Sequence, residues 1–325
     1  MIERIPMRLI SIALLAAFAV GLGSGCSTNP ATGKRSLTFL SWDREIAMGV
    51  EAAPGMTSQF GGEVPDREAQ MYVDEVGQRL LQGIEEGVPE LPWEFTLLDS
   101  SVINAFALPG GQVYLSRGLA DKLSSEAEMA GVIGHEIGHV TARHGNQRIT
   151  KQIGFNVGMG VLAIVVGASD ADSDIRKYGQ IGVPALAFGG NVVLLSYGRN
   201  EELEADMLGV RYMSRAGYNP VGQRMVMEVL QNASKGGRRP PEWLSTHPES
   251  GTRISRISRM LTGEYAYTQN SAEYVMKEAE YQRRMLDRLS RLGPPAHGAT
   301  TSVGMLGNSL LWCGHCREDE QLAGN

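Results

Sequence analysis

The sequence predicts an α+β fold that is predominantly helical and contains one small sheet. Apolar residues recur at helical spacing over most of the chain, whereas strand-like segments are confined to the region between residues 93 and 115. The 325 residues show no internal repeat and suffice for one large domain or two small ones. A net charge of −6 with 20% charged residues argues against nucleic-acid binding.

The first 25 residues have the features of a bacterial secretion signal. Two arginines precede an apolar run from Leu9 to Leu22, which is shorter than the roughly 20 residues that a transmembrane helix needs. Small residues stand directly before Cys26, as in a lipobox, so we expect a lipoprotein-type signal peptide over residues 1–25 and lipidation of Cys26. Leu22 lies one position further from the cysteine than in the usual lipobox. The alternatives to a lipoprotein signal are an ordinary cleaved signal peptide and an uncleaved membrane anchor.

Residues 26–42 are expected to form a tether between the lipid anchor and the folded part of the chain. Ser27, rather than an aspartate, follows the cysteine, which suggests sorting to the outer membrane. The sequence therefore predicts an outer-membrane lipoprotein of the bacterial cell envelope. It would face the periplasm and contact the membrane through its lipid anchor.

Two amphipathic helices and three strands are predicted in the first half of the folded region. The helices cover residues 43–53 and 66–84, and the strands cover residues 93–98, 102–108 and 112–115. The last two strands are separated by Pro109-Gly110-Gly111, which is typical of a tight turn. The sheet is thus expected immediately before the helix that carries the most informative motif of the chain.

Residues 135–139 read His-Glu-Ile-Gly-His. Side chains four apart on an α-helix lie one above the other, so both imidazoles can bind one metal ion while Glu136 takes a proton from an attacking water. Two nitrogen ligands and a base on one helical turn are what zinc-assisted peptide hydrolysis requires. The alternative is a surface helix with two unrelated histidines, which is a rare coincidence in a chain with six histidines.

A helix over residues 126–143 is predicted around this motif. Ser125 and Glu128 match a capping box at its start, and Gly145 is placed where a glycine ends a helix. Three interior glycines, at positions 131, 134 and 138, form a smooth strip. Each is unfavourable in a helix by about 1 kcal/mol relative to alanine, so the strip indicates close approach of another backbone or of the metal site. A tolerated weakness is the alternative.

A zinc site needs a third protein ligand, and the helix of the motif does not supply it. His144 lies five residues past His139, which is roughly 140° around a continuous helix, so its side chain is expected to face away. The third ligand must come from elsewhere. The next helix with suitable acidic side chains is predicted downstream, from an N-cap at Asn200 to Gly217.

Glu202 and Asp206 share one face of this second helix. Two acids on one face are explained if one of them binds a cation and the other orients a histidine. The alternative is an acidic, solvated first turn that the helix dipole favours, which fits the neighbouring Glu201 and Glu204. In combination with the first motif, we favour the metal site.

Five segments together are far more specific than the first motif alone. They are Asn104–Gly111, Val113–Leu119, His135–His144, Arg199–Asp206, and Ser245–Pro248 with Arg253. In this order, over roughly residues 35–262, they resemble metallopeptidase family 48, a family of gluzincin endopeptidases, and in particular its branch of periplasmic lipoproteins. Gly198 departs from the pattern, since many members carry serine there, but no proposed ligand is affected. The resemblance implies a zincin-type domain over residues 43–262, with the small sheet beside the helix of the motif.

The same resemblance implies a role for each site residue. His135, His139 and Glu202 would bind one zinc ion per chain, Glu136 would be the general base, and Asp206 would orient a ligand. His247, in the Ser245–Pro248 segment, would approach the zinc from a loop. It would either cover the open coordination position or stabilise the developing oxyanion, and these alternatives stay open. Arg253 is a candidate carboxylate partner for that loop.

The strands before the motif are candidates for substrate binding. In zinc peptidases an extended peptide commonly adds to an edge strand beside the metal helix. The resemblance suggests that Asn104, Ala105 and Phe106 line this cleft, and an ordinary hairpin is the alternative.

The remaining segments carry less information. Residues 153–168 are a glycine-rich apolar run, predicted as a buried helix rather than a membrane-dipping one. A C-terminal helix is expected within residues 263–293, starting at Asn270 and ending at Leu292. Residues 294–325 are expected to be disordered. This tail includes Cys313 and Cys316 in a Cys-Gly-His-Cys string, but thirty residues do not supply the thioredoxin fold in which such a string works.

The sequence therefore predicts a zinc-dependent endopeptidase, a hydrolase that cuts polypeptides in cell-envelope protein quality control. Its substrates would be misfolded or unassembled envelope proteins. The first alternative is a catalytically quiet chaperone or assembly scaffold on the same fold. A redox protein acting through the terminal cysteines is the second.

Overall fold

The computed structural model describes residues 26–165, 196–236, 241–247 and 251–296. The predicted secretion signal, the Cys313–Cys316 string and the end of the apolar run 153–168 lie outside the described residues, as does the side chain of Cys26. Among the described residues, no helix is both long enough and apolar enough to cross a membrane.

The predicted fold class is confirmed: the domain is mostly helical and has a three-stranded sheet. The strands are β1 (Cys26–Thr28), β2 (Arg35–Leu37), β3 (Glu94–Leu98), β4 (Ala105–Ala107) and β5 (Gln112–Ser116). The helices are α1 (Trp42–Gln59), α2 (Arg67–Leu81), α3 (Arg117–Ala120), α4 (Glu126–Thr141), α5 (His144–Val165), α6 (Arg199–Arg215), α7 (Val221–Gly236), α8 (Glu242–Thr246), α9 (Gly251–Thr262), α10 (Glu278–Tyr281) and α11 (Asp287–Leu289).

The main sheet has the strand order β3-β5-β4, with β3 parallel and β4 antiparallel to the central strand β5. The predicted strand 102–108 shortens to β4, because the Ser116 hydroxyl donates to the Val102 carbonyl and accepts from the Asn104 amide, in place of a strand ladder. The predicted tight turn then joins β4 to β5, with Gly110 and Gly111 both at positive φ. Strand β4 therefore lies at an edge of this sheet.

Helix α4, which carries the His-Glu-Ile-Gly-His motif, is buried along its whole length. The predicted capping box is present, since Glu128 accepts from the Ser125 amide and the Ser125 hydroxyl accepts from the Glu128 amide. A Cβ atom at Gly131 would lie 2.7 Å from Cα of Gln223, and one at Gly138 would lie 3.0 Å from the carbonyl oxygen of Ala205. The glycine strip therefore allows the close approach of α6 and α7 that the sequence indicated.

The end of α4 differs from the prediction. The helix stops at Thr141, and Arg143 adopts the left-handed conformation with φ 60° before α5 begins at His144. Gly145 is inside α5 and does not end α4, so that part of the prediction is wrong. An arginine in this conformation costs about 1–2 kcal/mol. The buried Glu45 carboxylate offsets this cost, since it accepts from the Arg143 guanidinium at 2.7 Å and from Asn146 at 2.6 Å.

The segment predicted as a tether packs against the domain. Strands β1 and β2 pair antiparallel, and the side-chain amide of Asn29 between them donates to the Thr141 carbonyl at the end of α4. Arg211 of α6 donates to the Ala31 carbonyl. This N-terminal hairpin, residues 26–37, thus touches both α4 and α6.

The C-terminal helix starts later than predicted. Asn270 has φ 57° and does not begin a helix, and the following residues form a turn that leads to a single bridge residue, Val275. The Val275 amide donates to the Gly217 carbonyl, and the Met276 carbonyl accepts from the Ala127 amide in the first turn of α4. Because this backbone is used to hold α4, the helical part begins only at α10 and continues through a π-helical turn at Gln282–Leu286 into α11.

Candidate metal centre

Helix α6 presents its acidic first turn to α4. Its N-cap is Gly198, whose amide donates to Glu201, so the predicted cap at Asn200 is placed two residues too late. The predicted end is confirmed, since the helix stops at Arg215 and Gly217 has φ 73°. In the helix that starts at this cap, the side chain of Glu202 points toward the interior and is fully buried.

Four buried side chains, His135, His139, Glu202 and His247, converge on one point and form a group that could hold a metal ion. Nε2 of His135 lies 3.0 Å from Nε2 of His139 and 3.3 Å from Nδ1 of His247. The Glu202 carboxylate lies 3.4 Å from Nε2 of each of the first two histidines and 3.0 Å from Nδ1 of His247.

These separations fit a tetrahedral site. Four ligand atoms at the usual zinc bond lengths would be spaced by about 3.3 Å. Five of the six separations, 3.0 to 3.4 Å, are close to this value, and the sixth, between His139 and His247, is within 4.8 Å. Two imidazoles and a carboxylate are also a donor set that catalytic zinc sites use. The residues present therefore fit the ion that the motif implies.

Asp206 holds the far side of His135. Its Oδ1 lies 3.0 Å from Nδ1 of His135, and both of its oxygens accept from the Arg253 guanidinium at 2.7 Å. Arg253 also lies 2.7 Å from Glu202, so one buried guanidinium contacts two buried carboxylates and partly balances their charge. Arg253 is thus a carboxylate partner, as the sequence suggested, and Asp206 is in a position to orient His135.

The surroundings set the charges of the site. Burial disfavours the charged form of His135, but hydrogen bonds and charges from Asp206 and Glu202 outweigh burial and raise its pKa to about 9. Burial holds the pKa of His139 well below its ordinary value. Burial would raise the pKa of Glu202, but the charge on His247 and hydrogen bonds from the histidines hold it well below its usual range. Asp206 likewise keeps a lowered pKa, because Arg253 and His135 outweigh its burial.

His144 lies directly behind His139, contrary to the prediction that it faces away. Its Nδ1 is 2.9 Å from Nδ1 of His139, and its Nε2 is 3.2 Å from Glu204. The prediction assumed a continuous helix, whereas the left-handed turn at Arg143 redirects the chain. The interpretation of Glu204 as a solvated residue is also wrong, because its side chain is only 12% exposed.

Helix α8 covers the site from the other side. His247 follows this helix, and its ring stacks on that of Trp243 with 4.6 Å between the centroids. The indole nitrogen of Trp243 donates to Oε1 of Glu136 at 3.3 Å. Oε2 of Glu136 is buried and accepts no hydrogen bond from the described part of the chain. That oxygen is therefore free to accept a proton from a water molecule.

The three candidate substrate residues lie at the edge strand, but their side chains are buried. The Phe106 ring packs at 4.8 Å from that of Tyr114, in a second apolar cluster, and Asn104 has no hydrogen-bond partner for its side-chain amide among the described residues. Ala107, the last residue of β4, lines a small cavity together with His139. The side chains of the three candidate residues are therefore inside the domain, whereas β4 itself is an edge strand.

Sequence reasoning did not find two residues of the site, Trp243 and Tyr197. It also missed the contact of His144 with His139. The Tyr197 ring stacks on His139 with 3.8 Å between the centroids. Trp243 lies four residues before His247 and Tyr197 five before Glu202, so their proximity to proposed ligands was the available signal. No spacing rule connects such an aromatic residue to a metal site, because these contacts depend on tertiary packing.

The sequence is similar to those of known peptidases. The model for Peptidase family M48 matches residues 67–261. The mitochondrial metalloendopeptidase OMA1 of Schizosaccharomyces pombe is 29% identical over 234 residues, which cover 71% of this chain and 65% of that protein. The beta-barrel assembly-enhancing protease of Yersinia pestis is 29% identical over 235 residues, which cover 70% of this chain and 46% of that protein. The protease of the same name from Escherichia coli K12 is 27% identical over 255 residues, covering 74% of this chain and 50% of the protein. The chain thus spans between about half and two thirds of the length of these relatives.

Proposed function

Because this chain belongs to Peptidase family M48, we propose that it is a zinc-dependent endopeptidase. His135, His139 and Glu202 bind one zinc ion, Glu136 is the general base, and Asp206 orients His135. The observation that carries this proposal is the convergence of four buried ligand atoms within 4.8 Å of one another, with an unengaged carboxylate oxygen of Glu136 on the residue adjacent to His135.

The chemistry is divided between the ion and the chain. A bound zinc ion polarises the scissile carbonyl and lowers the pKa of its water toward about 7. Glu136 accepts the proton of the attacking water at Oε2 and then delivers it to the leaving amine nitrogen. The hydrogen bond from Trp243 to Oε1 fixes the carboxylate in the orientation that this transfer needs.

His247 occupies the position of a fourth ligand. With Nδ1 at 3.0 Å from Glu202 and 3.3 Å from His135, it would take the coordination position that the attacking water needs if an ion were bound. We therefore propose that His247, which follows α8, forms a closed state and moves away when a peptide enters, whereas Trp243 stays hydrogen-bonded to Glu136. After opening, the same imidazole is available to stabilise the oxyanion.

The closed site also favours the second candidate function, a chaperone or assembly scaffold that retains the fold and cuts little. Four protein ligands around an ion describe a structural zinc site rather than a catalytic one. The presence of Glu136, which a structural site does not need, favours the endopeptidase.

The biological setting is proposed from relatives and from the first residues. Two of the relatives are named for enhancing beta-barrel assembly. We propose that this protein acts in envelope protein quality control as an outer-membrane lipoprotein acylated at Cys26. Its substrates would be misfolded or unassembled polypeptides that bind in extended form along Asn104, Ala105 and Phe106 of the edge strand.

Cleavage of casein by three forms of the protein tests the proposal. The wild type should bind one zinc ion and cleave casein, and Glu136→Gln should bind zinc equally well but lose cleavage. His247→Ala should cleave at least as fast as the wild type if His247 only closes the site, and more slowly if it stabilises the oxyanion.

Two results would contradict parts of this account. Cleavage unaffected by Glu136→Gln would refute the mechanism. Zinc binding without cleavage, by both the wild type and His247→Ala, would establish the scaffold instead. Glu51→Gln is a matched control, because Glu51 is exposed on α1, and it should leave both measurements unchanged.

A further inference from the structure

The two histidines of α4 differ in what holds the nitrogen that points away from the cluster. Nδ1 of His135 lies against the Asp206 carboxylate at 3.0 Å. Nδ1 of His139 lies instead against another imidazole, that of His144, at 2.9 Å. A histidine that binds a metal usually donates its other N–H to a carboxylate, a carbonyl or water, so an imidazole in this place requires an explanation.

His144 reaches this position because of the left-handed turn at Arg143. On a continuous helix it would lie roughly 140° away from His139. The turn ends α4, and the imidazole of His144 becomes fully buried between α4 and α6. The left-handed conformation of Arg143, which is unfavourable for an arginine, thus brings the imidazoles of His139 and His144 together.

The protons of this contact can be assigned by hydrogen-bond logic. Nε2 of His139 faces the cluster, so as a ligand it is unprotonated and Nδ1 carries the proton. Nδ1 of His144 must then accept, which places the proton of His144 on Nε2. That nitrogen lies 3.2 Å from Oε2 of Glu204. A protonated ring nitrogen needs a hydrogen-bond acceptor, and a carboxylate oxygen is one. The relay therefore runs from His139 through His144 to Glu204.

The end of the relay is anchored by the N-terminal hairpin. The other oxygen of Glu204 lies 2.6 Å from the ammonium of Lys34. Lys34 is 71% exposed, so this ion pair contributes little by itself. Glu204 is the group that fixes His144, since its side chain is largely buried and its two oxygens have different partners.

We propose that His144 and Glu204 are positioning residues for metal binding, which hold the ring of His139 in the orientation and tautomer that present Nε2 to the ion. This inference rests on the proposed zinc site but adds two residues to it. It explains why Glu204, which does not belong to the motif, has a largely buried side chain that contacts His144. It also predicts that metal affinity depends on residues that never touch the metal.

Equilibrium zinc affinity of the full chain, measured by competition with a chromophoric chelator, tests the relay. His144→Phe keeps the ring volume but removes the acceptor, so zinc affinity should fall by about 10- to 100-fold. His144→Gln restores an acceptor and should recover much of that loss. Glu204→Ala should also weaken zinc binding. The absorption spectrum of the cobalt-substituted His144→Phe protein should differ from that of the wild type, because the ring of His139 is no longer fixed.

Glu85→Gln is the matched control. Glu85 also accepts hydrogen bonds from α6, through Arg211 and Tyr212, but these bonds reach neither His144 nor the proposed ligands. This variant should lose thermal stability without a change in zinc affinity. If His144→Phe does not fold, Glu204→Ala and His144→Gln give the same comparison.

The possible outcomes separate this inference from the proposed function. Wild-type zinc affinity and an unchanged cobalt spectrum in His144→Phe, or in Glu204→Ala where the former does not fold, would overturn the relay and leave the endopeptidase intact. Absence of zinc binding by the wild type would overturn the proposed function itself. A loss of affinity in Glu85→Gln equal to that in the relay variants would also refute a specific role for His144.

Discussion

The indole nitrogen of Trp243 lies 3.3 Å from Oε1 of Glu136, at the centre of the buried site. The contact links α8, which carries Trp243, to the proposed general base on α4. It gives the two oxygens of the Glu136 carboxylate different roles, because Oε1 accepts from the indole and Oε2 is left for a water molecule. The same tryptophan stacks on His247, so one side chain contacts both the base and the proposed fourth ligand.

Trp243→Phe should lower kcat by about tenfold while KM stays nearly constant. Phenylalanine keeps an aromatic ring against His247 but removes the N–H, and a hydrogen bond to a charged group contributes about 1.5–3 kcal/mol. Steady-state cleavage of a fluorogenic peptide measures both constants. An unchanged kcat would show that the indole only fills space.

Zinc binding should release about one proton per chain between pH 6.5 and 9. The pKa of His135 is raised to about 9 in the metal-free protein, so this imidazole is protonated at pH 7.5 and must lose its proton to become a ligand. His139 has a lowered pKa and releases none in this range. Zinc affinity should therefore fall as the pH falls below 9, by about tenfold per unit.

Calorimetric titration at pH 7.5 in buffers with different ionisation enthalpies counts these protons. Asp206→Asn should reduce the release, because it removes a carboxylate that raises the pKa of His135.

The stability of the metal-free protein depends on pH through the same residue, in the direction opposite to that of an acidic group whose pKa is lowered on folding. The contribution of His135 to the stability of the metal-free protein is complete below its ordinary pKa of 6.5 and is lost as the pH rises through 9. Proton release of zero would contradict this assignment.

The sequence was sufficient for the elements whose cause is local. The capping box of α4 and the glycine that follows α6 are set by side chains within a few residues, and both are present. The sequence also predicted Glu202 as a residue of the site, because Glu202 and Asp206 are four residues apart and share one helical face. These features depend on helical periodicity, which a sequence shows directly.

The parts that were missed depend on tertiary contacts. The orientation of His144 follows from the turn at Arg143, and that turn follows from the buried Glu45, 98 residues earlier in the chain. The segment after Asn270 is not helical because its backbone pairs with residues of other elements, although its sequence resembles a capped helix. In each case a distant partner overrides the local preference.

Glu45→Ala should lower the free energy of unfolding by about 3–5 kcal/mol, because the guanidinium of Arg143 would be left buried without its carboxylate. It should also relax the left-handed turn and thereby weaken zinc binding. Chemical denaturation measures the first effect. Glu51→Ala, on the exposed side of the same helix, should change stability by no more than about 0.5 kcal/mol. Equal effects of the two substitutions would contradict this role of Glu45.

Gly131→Ala should destabilise the protein even though alanine is the better helix former. Its Cβ would lie 2.7 Å from Cα of Gln223, so α4 and α7 would have to separate. Overpacking of this kind costs about 1–3 kcal/mol. The control is Gly55→Ala in α1, where no atom lies within 4 Å of the new Cβ and stability should rise by up to about 1 kcal/mol. Thermal unfolding of both variants is the measurement, and a stabilised Gly131→Ala would refute the close approach.

The position of a zinc ion in crystals of the wild-type protein tests the central claim most directly. Anomalous scattering at the zinc absorption edge should give one peak, about 2.0–2.2 Å from Nε2 of His135, Nε2 of His139 and a carboxylate oxygen of Glu202. Crystals grown with zinc that show no peak there, or a peak from which Glu202 is out of bonding range, would contradict the account.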